Sequence, residues 1–125
     1  MLRMIETDKS LVNGLKRYIH DYLEYWNSRR RELNLYFLTM NESFSSKQIM
    51  DLYKESTRVM FEYFEGLFLK GQATGIFNRC DAYSRAVTLI SCLDGYLGYL
   101  LIDPLLQPDK IEKEIQRVFI DDLLR

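Results

Sequence analysis

The residue types that usually carry catalysis are sparse in this sequence and form no familiar catalytic arrangement. His20 is the only histidine among 125 residues, which argues against a catalytic triad or a histidine-rich metal site. Arg17 stands three positions before it, where the Glu-x-x-His pair of carboxylate di-iron bundles needs a glutamate. The glycines between positions 66 and 75 lack the Lys-Ser/Thr that ends a phosphate-binding loop. The adjacent Asp121 and Asp122 would point in different directions on a helix, so they do not form a catalytic pair of carboxylates. We therefore expect no enzyme activity, no catalytic residue, no metal and no cofactor.

Aromatic side chains with polar ends are the more informative set. Nine tyrosines, seven phenylalanines and one tryptophan are present, and most lie between Tyr18 and Phe68. A buried tyrosine or tryptophan needs a hydrogen-bond partner, and an apolar cavity with a few converging polar groups is typical of small-molecule sites. In such a cavity, Met40 and Met60 would make the wall adaptable. The simpler alternative is a core packed with large rings and no cavity. The aromatic candidates with a polar group are Tyr22, Trp26, Tyr36, Tyr53 and Tyr96.

Length, composition and charge favour one ordinary soluble domain spanning residues 1–125. The net charge is −1, and the basic run Arg29–Arg31 is expected to complement the end of a helix rather than bind phosphate. Cys80 and Cys92 would lie about 18 Å apart along a helix, too far for a disulfide, which favours a reducing compartment. The N-terminus lacks the apolar core of a signal peptide, and the run Ala86–Ile102 contains Asp94 and is short for a membrane span. We expect a cytoplasmic protein without membrane contact.

The spacing of apolar residues predicts an all-α fold of five helices in an orthogonal or antiparallel bundle. Thr7 or Asp8, a serine at position 46, and Asp81 are the expected caps of the first, third and fourth helices. Gly71 and Gly75 are expected to close the third helix, and Pro108 suits the first turn of the fifth. The predicted helices cover residues 8–26, 28–41, 46–70, 81–103 and 108–124.

The fourth predicted helix carries apolar residues on nearly every side, so more covering is needed than one narrow neighbouring helix supplies. A line of small residues follows it at three- and four-residue steps, and this line would let another backbone approach closely. It could admit a helix of the same chain, but we favour self-association of two copies along this line. The residues of this predicted seam on the fourth helix are Ser84, Thr88, Ser91, Gly95 and Gly98.

Three segments carry a resemblance to a known family. They are the first helix around LKRYIHDYLEYW (Leu15 to Trp26), the short helix RRRELNLYFLTMNES, and the segment from Phe68 to Leu101. Gly71, Gly75 and Phe77 are similar to a G-x-x-x-G-x-F turn, and Leu93-Asp94-Gly95 is similar to a leucine-aspartate-glycine step in a late helix. In this joint spacing the chain resembles, over essentially its whole length, the C-terminal effector-binding and dimerisation domain of TetR-family transcriptional repressors.

The resemblance implies that the last two helices pair with a second copy as a four-helix bundle. The predicted homodimer interface therefore also includes Ile115, Val118 and Phe119 of the fifth helix. It also implies a pocket among the earlier helices for a small, mostly apolar effector. Carried onto this chain, the ligand-binding walls would be Tyr22, Trp26, Tyr36, Phe37, Met40, Met60, Phe64, Leu93 and Tyr96.

The family places a DNA-reading helix-turn-helix head before this domain, and the sequence printed here begins almost at the first predicted helix. We therefore expect contact with DNA only through a missing N-terminal domain, whether that head was removed, precedes Met1 in a longer protein, or is naturally absent. The alternative is a headless helical interaction module or antagonist that dimerises without binding a small molecule. A carrier or enzyme has little support from the titratable residues.

Overall fold

The computed structural model describes residues 10–125 and confirms an all-α bundle of five helices over that range. The helices are α1 (Leu11–Asn27), α2 (Arg30–Ser43), α3 (Lys47–Ala73), α4 (Ala82–Ile102) and α5 (Pro108–Phe119), followed by a 3-10 turn at Asp121–Leu123. Across residues 10–125 the β-type pairing is limited to a single bridge between Phe77 and Leu124.

Polar caps set three of the helix starts. Ser10, Ser46 and Asp81 precede α1, α3 and α4, and each side chain accepts a hydrogen bond from the backbone N–H three residues further on. The predictions for Ser46 and Asp81 are confirmed. Thr7 and Asp8, the expected caps of the first helix, lie outside the described residues, and the described helix begins behind Ser10 instead.

The junction between α3 and α4 corrects the expected role of one glycine. Gly71 does not close α3, because the helix continues to Ala73. Gly75 has the positive φ of 77° that suits a residue just past a helix end. Gly71 is buried inside the helix, and a Cβ there would overlap the ring of Phe77. Because Gly71 has no side chain, the buried ring of Phe77 can pack directly against α3.

The end of the chain also differs from the predicted helix to residue 124. The helix α5 stops at Phe119, and the last residues instead bond to the loop after α3. The N–H of Asn78 donates to the Leu123 carbonyl at 2.8 Å, and the N–H of Arg125 donates to the Ile76 carbonyl at 3.0 Å. Leu124 has extended backbone (φ −60°, ψ 137°), so the chain has left the helical conformation before Arg125 forms its bond.

The core lies around α4, which contacts each of the other four helices. One face of α4 is buried in this core through seven apolar residues, and the other helices contribute aromatic and aliphatic partners such as Leu15, Ile19, Phe64 and Phe68. The buried residues of α4 are Ala82, Ala86, Leu89, Ile90, Leu93, Leu97 and Leu100. The cysteines Cys80 and Cys92 are free thiols.

By length and composition alone, α4 is also able to cross a membrane. Its 21 residues exceed the shorter apolar run considered from the sequence. In its most apolar stretch, 33% is buried inside the fold. The core helix of a soluble protein passes the same test of length and composition, so this helix by itself does not indicate a membrane span.

Candidate ligand cavity

A cleft between the helices forms two adjoining cavities with shared walls. The outer lobe has a volume of about 410 Å³ and lies between α2 and α3, reaching Tyr83 and Asp94 of α4. The inner lobe has a volume of about 280 Å³ and extends to α1. Both volumes are on the scale of small-molecule sites. The walls common to both lobes are Tyr36, Tyr53, Thr57, Phe61 and Asp94.

Aromatic rings line most of this cleft. Trp26 and Tyr36 lie with ring centroids 5.5 Å apart, and Tyr22 also lines the inner lobe. Phe61 and Tyr83 meet edge to face at 6.3 Å on the α3–α4 side. These rings follow from the helical spacing of the sequence, because residues three or four apart share a helix face.

Asp94 is the one carboxylate among the residues that line the two lobes. The hydroxyl of Tyr22 donates a hydrogen bond of 2.6 Å to its Oδ1. Burial raises the pKa of Asp94, and the Tyr22 hydrogen bond opposes that rise by favouring the charged form. Burial and the nearby Asp94 charge likewise raise the pKa of the Tyr22 hydroxyl, and they raise the pKa of Tyr36 to about 12. Both tyrosines are therefore neutral hydrogen-bond donors at ordinary pH.

Two basic side chains border the outer lobe. Arg58 is exposed and already ion-paired, with Glu55 at 2.6 Å and Glu62 at 3.0 Å on its own helix. Lys54 also lines this lobe and is exposed. Because water screens exposed charges strongly, the charge deepest in the cleft, Asp94, dominates the site.

The predicted ligand-binding residues divide into two groups. Tyr22, Trp26, Tyr36, Met40 and Met60 line the lobes. The other four do not line either lobe: Phe64 and Leu93 are fully buried in the core, Phe37 lies beside Gly98, and Tyr96 turns towards the region of Arg30. These four therefore lie away from the walls of both lobes, because a helical stripe does not say which neighbour each side of it meets.

Asp94, Phe61 and Tyr53 line both lobes but are not among the residues predicted to bind the effector. A usable signal for Asp94 was present, since it is the only charged residue between Ala86 and Ile102. A lone carboxylate inside an apolar helix is costly unless it has a partner or a role.

The predicted dimer surface is partly exposed and partly used by the single chain. Ser84, Thr88, Ser91 and Gly95 are exposed along one strip of α4, where Tyr99 and Ile102 are also exposed. We call these six residues the α4 strip. A Cβ added at Gly95 would meet no atom within 4 Å. The α4 strip therefore leaves room for a close neighbour.

Three of the remaining predicted interface residues are covered, wholly or in part, within the single chain. Ile115 and Phe119 are 4% and 7% exposed within the single chain, so their side chains are largely unavailable to a second copy. Gly98 is half-buried and faces Phe37 of α2. Val118 is 37% exposed and borders a groove between α4 and α5. It is the α5 residue of the predicted set that remains accessible.

His20 lies in a separate carboxylate cluster. Its Nδ1 is 2.6 Å from Glu112 Oε1 on α5, and its Nε2 is 2.9 Å from Glu24 Oε2. The hydrogen bond to Glu112 raises the pKa of His20. Asp21 completes a group in which one ligand atom from each of His20, Asp21 and Glu24 lies within 4.8 Å of the others. Because both ring nitrogens already face carboxylates, this group is explained as a charged link between α1 and α5.

Comparison of the chain with protein-family models, with curated proteins and with solved structures finds no match.

Proposed function

We propose that this chain is the effector-sensing, dimerising regulatory domain of a cytoplasmic TetR-type transcriptional repressor. A homodimer would hold two DNA-binding heads, supplied by another domain, at half-sites about one helical turn apart. Effector entry would change the spacing of the heads, and such coupling typically amounts to about 1–3 kcal/mol. The helix α1 is our candidate transmitter, because it lines the cavity through Tyr22 and Trp26 and begins the described part of the chain.

The observation that carries this proposal is the aromatic cavity between α1, α2, α3 and α4. A module that only dimerises has no need of a cleft of about 410 Å³ with a carboxylate in its wall. The headless interaction module remains the alternative, and the α4 strip is compatible with both proposals. Ligand binding separates them.

Trp26 provides a direct assay because it is the only tryptophan and lines the inner lobe. A panel of drug-sized aromatic compounds is titrated into the protein while the tryptophan is excited selectively. Binding is expected to shift or quench the Trp26 fluorescence in a saturable manner. Sedimentation of the same samples is expected to give a dimer. Dimers without any saturable response would favour the interaction module, and a monomer without a response would overturn both.

A variant in which the cavity is filled is the matched control for effector binding. Thr57 is exposed and lines both lobes, so Thr57→Phe places a ring in the cleft while the core is left alone. We expect effector affinity to fall at least about tenfold, equivalent to about 1.4 kcal/mol, with unchanged thermal unfolding. Unchanged affinity in this variant would place the binding site elsewhere.

A further inference from the structure

We infer that the effector is an organic cation, with its charged group against Asp94 and its apolar body among the aromatic walls of the cleft. This inference rests on the proposed function and specifies the chemistry of its ligand. The geometry behind it is a single carboxylate set in a ring-lined cleft at the junction of the two lobes.

Asp94 has no cationic partner within residues 10–125. Its carboxylate accepts a hydrogen bond of 2.6 Å from the neutral Tyr22 hydroxyl. Ion pairs are observed among residues 10–125, but each of them involves an aspartate or glutamate other than Asp94. A partly buried carboxylate without a counter-charge lowers stability, so a bound cation would supply what the fold does not.

The walls of the cleft are also suited to a cation. Trp26, Tyr36, Tyr53, Phe61 and Tyr83 surround the same space that Asp94 borders. Aromatic faces attract cations through their quadrupole, and they do so most strongly where water is excluded. A carboxylate together with several rings is therefore suited to an alkylammonium or a similar soft cation.

An anionic amphiphile is the rival ligand, since Lys54 and Arg58 border the outer lobe. Arg58 is already held between Glu55 and Glu62. An anion deep enough to contact the rings would approach Asp94 and be repelled by it. The positions of the charges therefore favour the cation.

The test uses three probes of similar size: phenyltrimethylammonium, its neutral carbon isostere tert-butylbenzene, and the anion benzenesulfonate. Binding is measured by Trp26 fluorescence on the full chain. We expect the ammonium to bind at least about tenfold more tightly than the isostere, and benzenesulfonate to bind most weakly. Equal affinities for the ammonium and its isostere, or a preference for the anion, would overturn the inference while leaving the effector cavity in place.

Two isosteric variants locate the charge responsible. Asp94→Asn is expected to weaken ammonium binding at least about tenfold while leaving tert-butylbenzene affinity within about twofold, which also shows that the cleft is intact. Asp51→Asn makes the same chemical change at an exposed site of α3 outside both lobes, and no change in either affinity is expected. An Asp94→Asn variant that keeps the full ammonium preference would refute the role of Asp94. Failure of all three probes and of the whole compound panel would remove the proposed function as well.

Discussion

At Asp94, the stability of the fold and the proposed binding of a cation make opposite demands. Burial disfavours its charged form, and the Tyr22 hydroxyl offsets only part of that cost. An asparagine would accept the same hydrogen bond without carrying a charge. Residues that lower stability in this manner are common at functional sites, where the binding role outweighs the cost.

We predict that Asp94→Asn stabilises the chain at neutral pH. The folded pKa of Asp94 is raised above its unfolded value, so the folded state holds the proton more tightly and wild-type stability declines as pH rises from the unfolded pKa through the folded pKa. The variant lacks this decline. At about pH 7.5 its midpoint of thermal unfolding should exceed that of the wild type by a few degrees, since 1 kcal/mol is worth roughly 4 °C in a domain of this size.

Thermal unfolding of both proteins across pH checks this prediction. The difference between them should shrink as the pH falls to about 3, where the carboxyl is largely protonated in the unfolded state as well as in the folded one. A variant that is less stable than the wild type at neutral pH would show instead that the carboxylate is a structural acceptor that asparagine cannot replace.

Individual wall residues were predictable from the sequence only in part. The aromatic and methionine candidates on α1 and α2 were found because their polar or flexible side chains were unusual on an apolar stripe, as for Trp26 and Met40. Phe64 and Leu93 could not be separated from wall residues, since all of them share the same helical spacing. Their burial depends on which neighbouring helix crosses at that level, and a single sequence contains no direct record of that crossing.

At the scale of elements, the turn between α3 and α4 fixes where the core helix starts. Gly71 allows the Phe77 ring to pack against α3, Gly75 reverses the chain with a positive φ, and Asp81 caps α4. The backbone of Asn78 then bonds to the end of the chain. This turn therefore joins the start of α4 to the C-terminus as well as to α3.

We predict that Gly71→Ala destabilises the fold, although alanine is the better helix former. The added Cβ would overlap the Phe77 ring, and displacing that ring should cost about 1–3 kcal/mol. Gly66→Ala is the matched control on the same helix, because its Cβ meets nothing within 4 Å. That variant should gain up to about 1 kcal/mol. Urea unfolding measures both, and a Gly71→Ala variant as stable as Gly66→Ala would contradict the close packing.

The existence and order of the helices were predictable from apolar spacing, proline and polar caps, whereas several ends were not. The third helix passes through Gly71, because that glycine serves a packing contact rather than a stop. The fifth helix ends at Phe119, because the last residues form hydrogen bonds with Ile76 and Asn78. Both exceptions depend on contacts between distant parts of the chain, which local patterns do not reveal.

The two faces of α4 differ in burial. One face fills the core, and the α4 strip on the other face remains exposed. Within the strip, Tyr99 and Ile102 are 65% and 78% exposed. Exposed apolar side chains beside small residues suit a close helix–helix contact with a second copy. Because Ser91 belongs both to the α4 strip and to the wall of the inner lobe, ligand and partner would meet the same helix.

Gly95→Leu should turn the proposed dimer into a monomer, because a leucine in the middle of the α4 strip would hold two backbones apart. The single chain should tolerate the change, since the space around Gly95 is open. Gly66→Leu provides the matched control at an equally open glycine on α3, and it should leave the dimer unchanged. Sedimentation at several concentrations distinguishes the two variants. If Gly95→Leu sediments like the wild type, the α4 strip is not the dimer interface, and if the wild type is itself a monomer at about 100 μM, the proposed domain does not dimerise at a strength typical of specific interfaces.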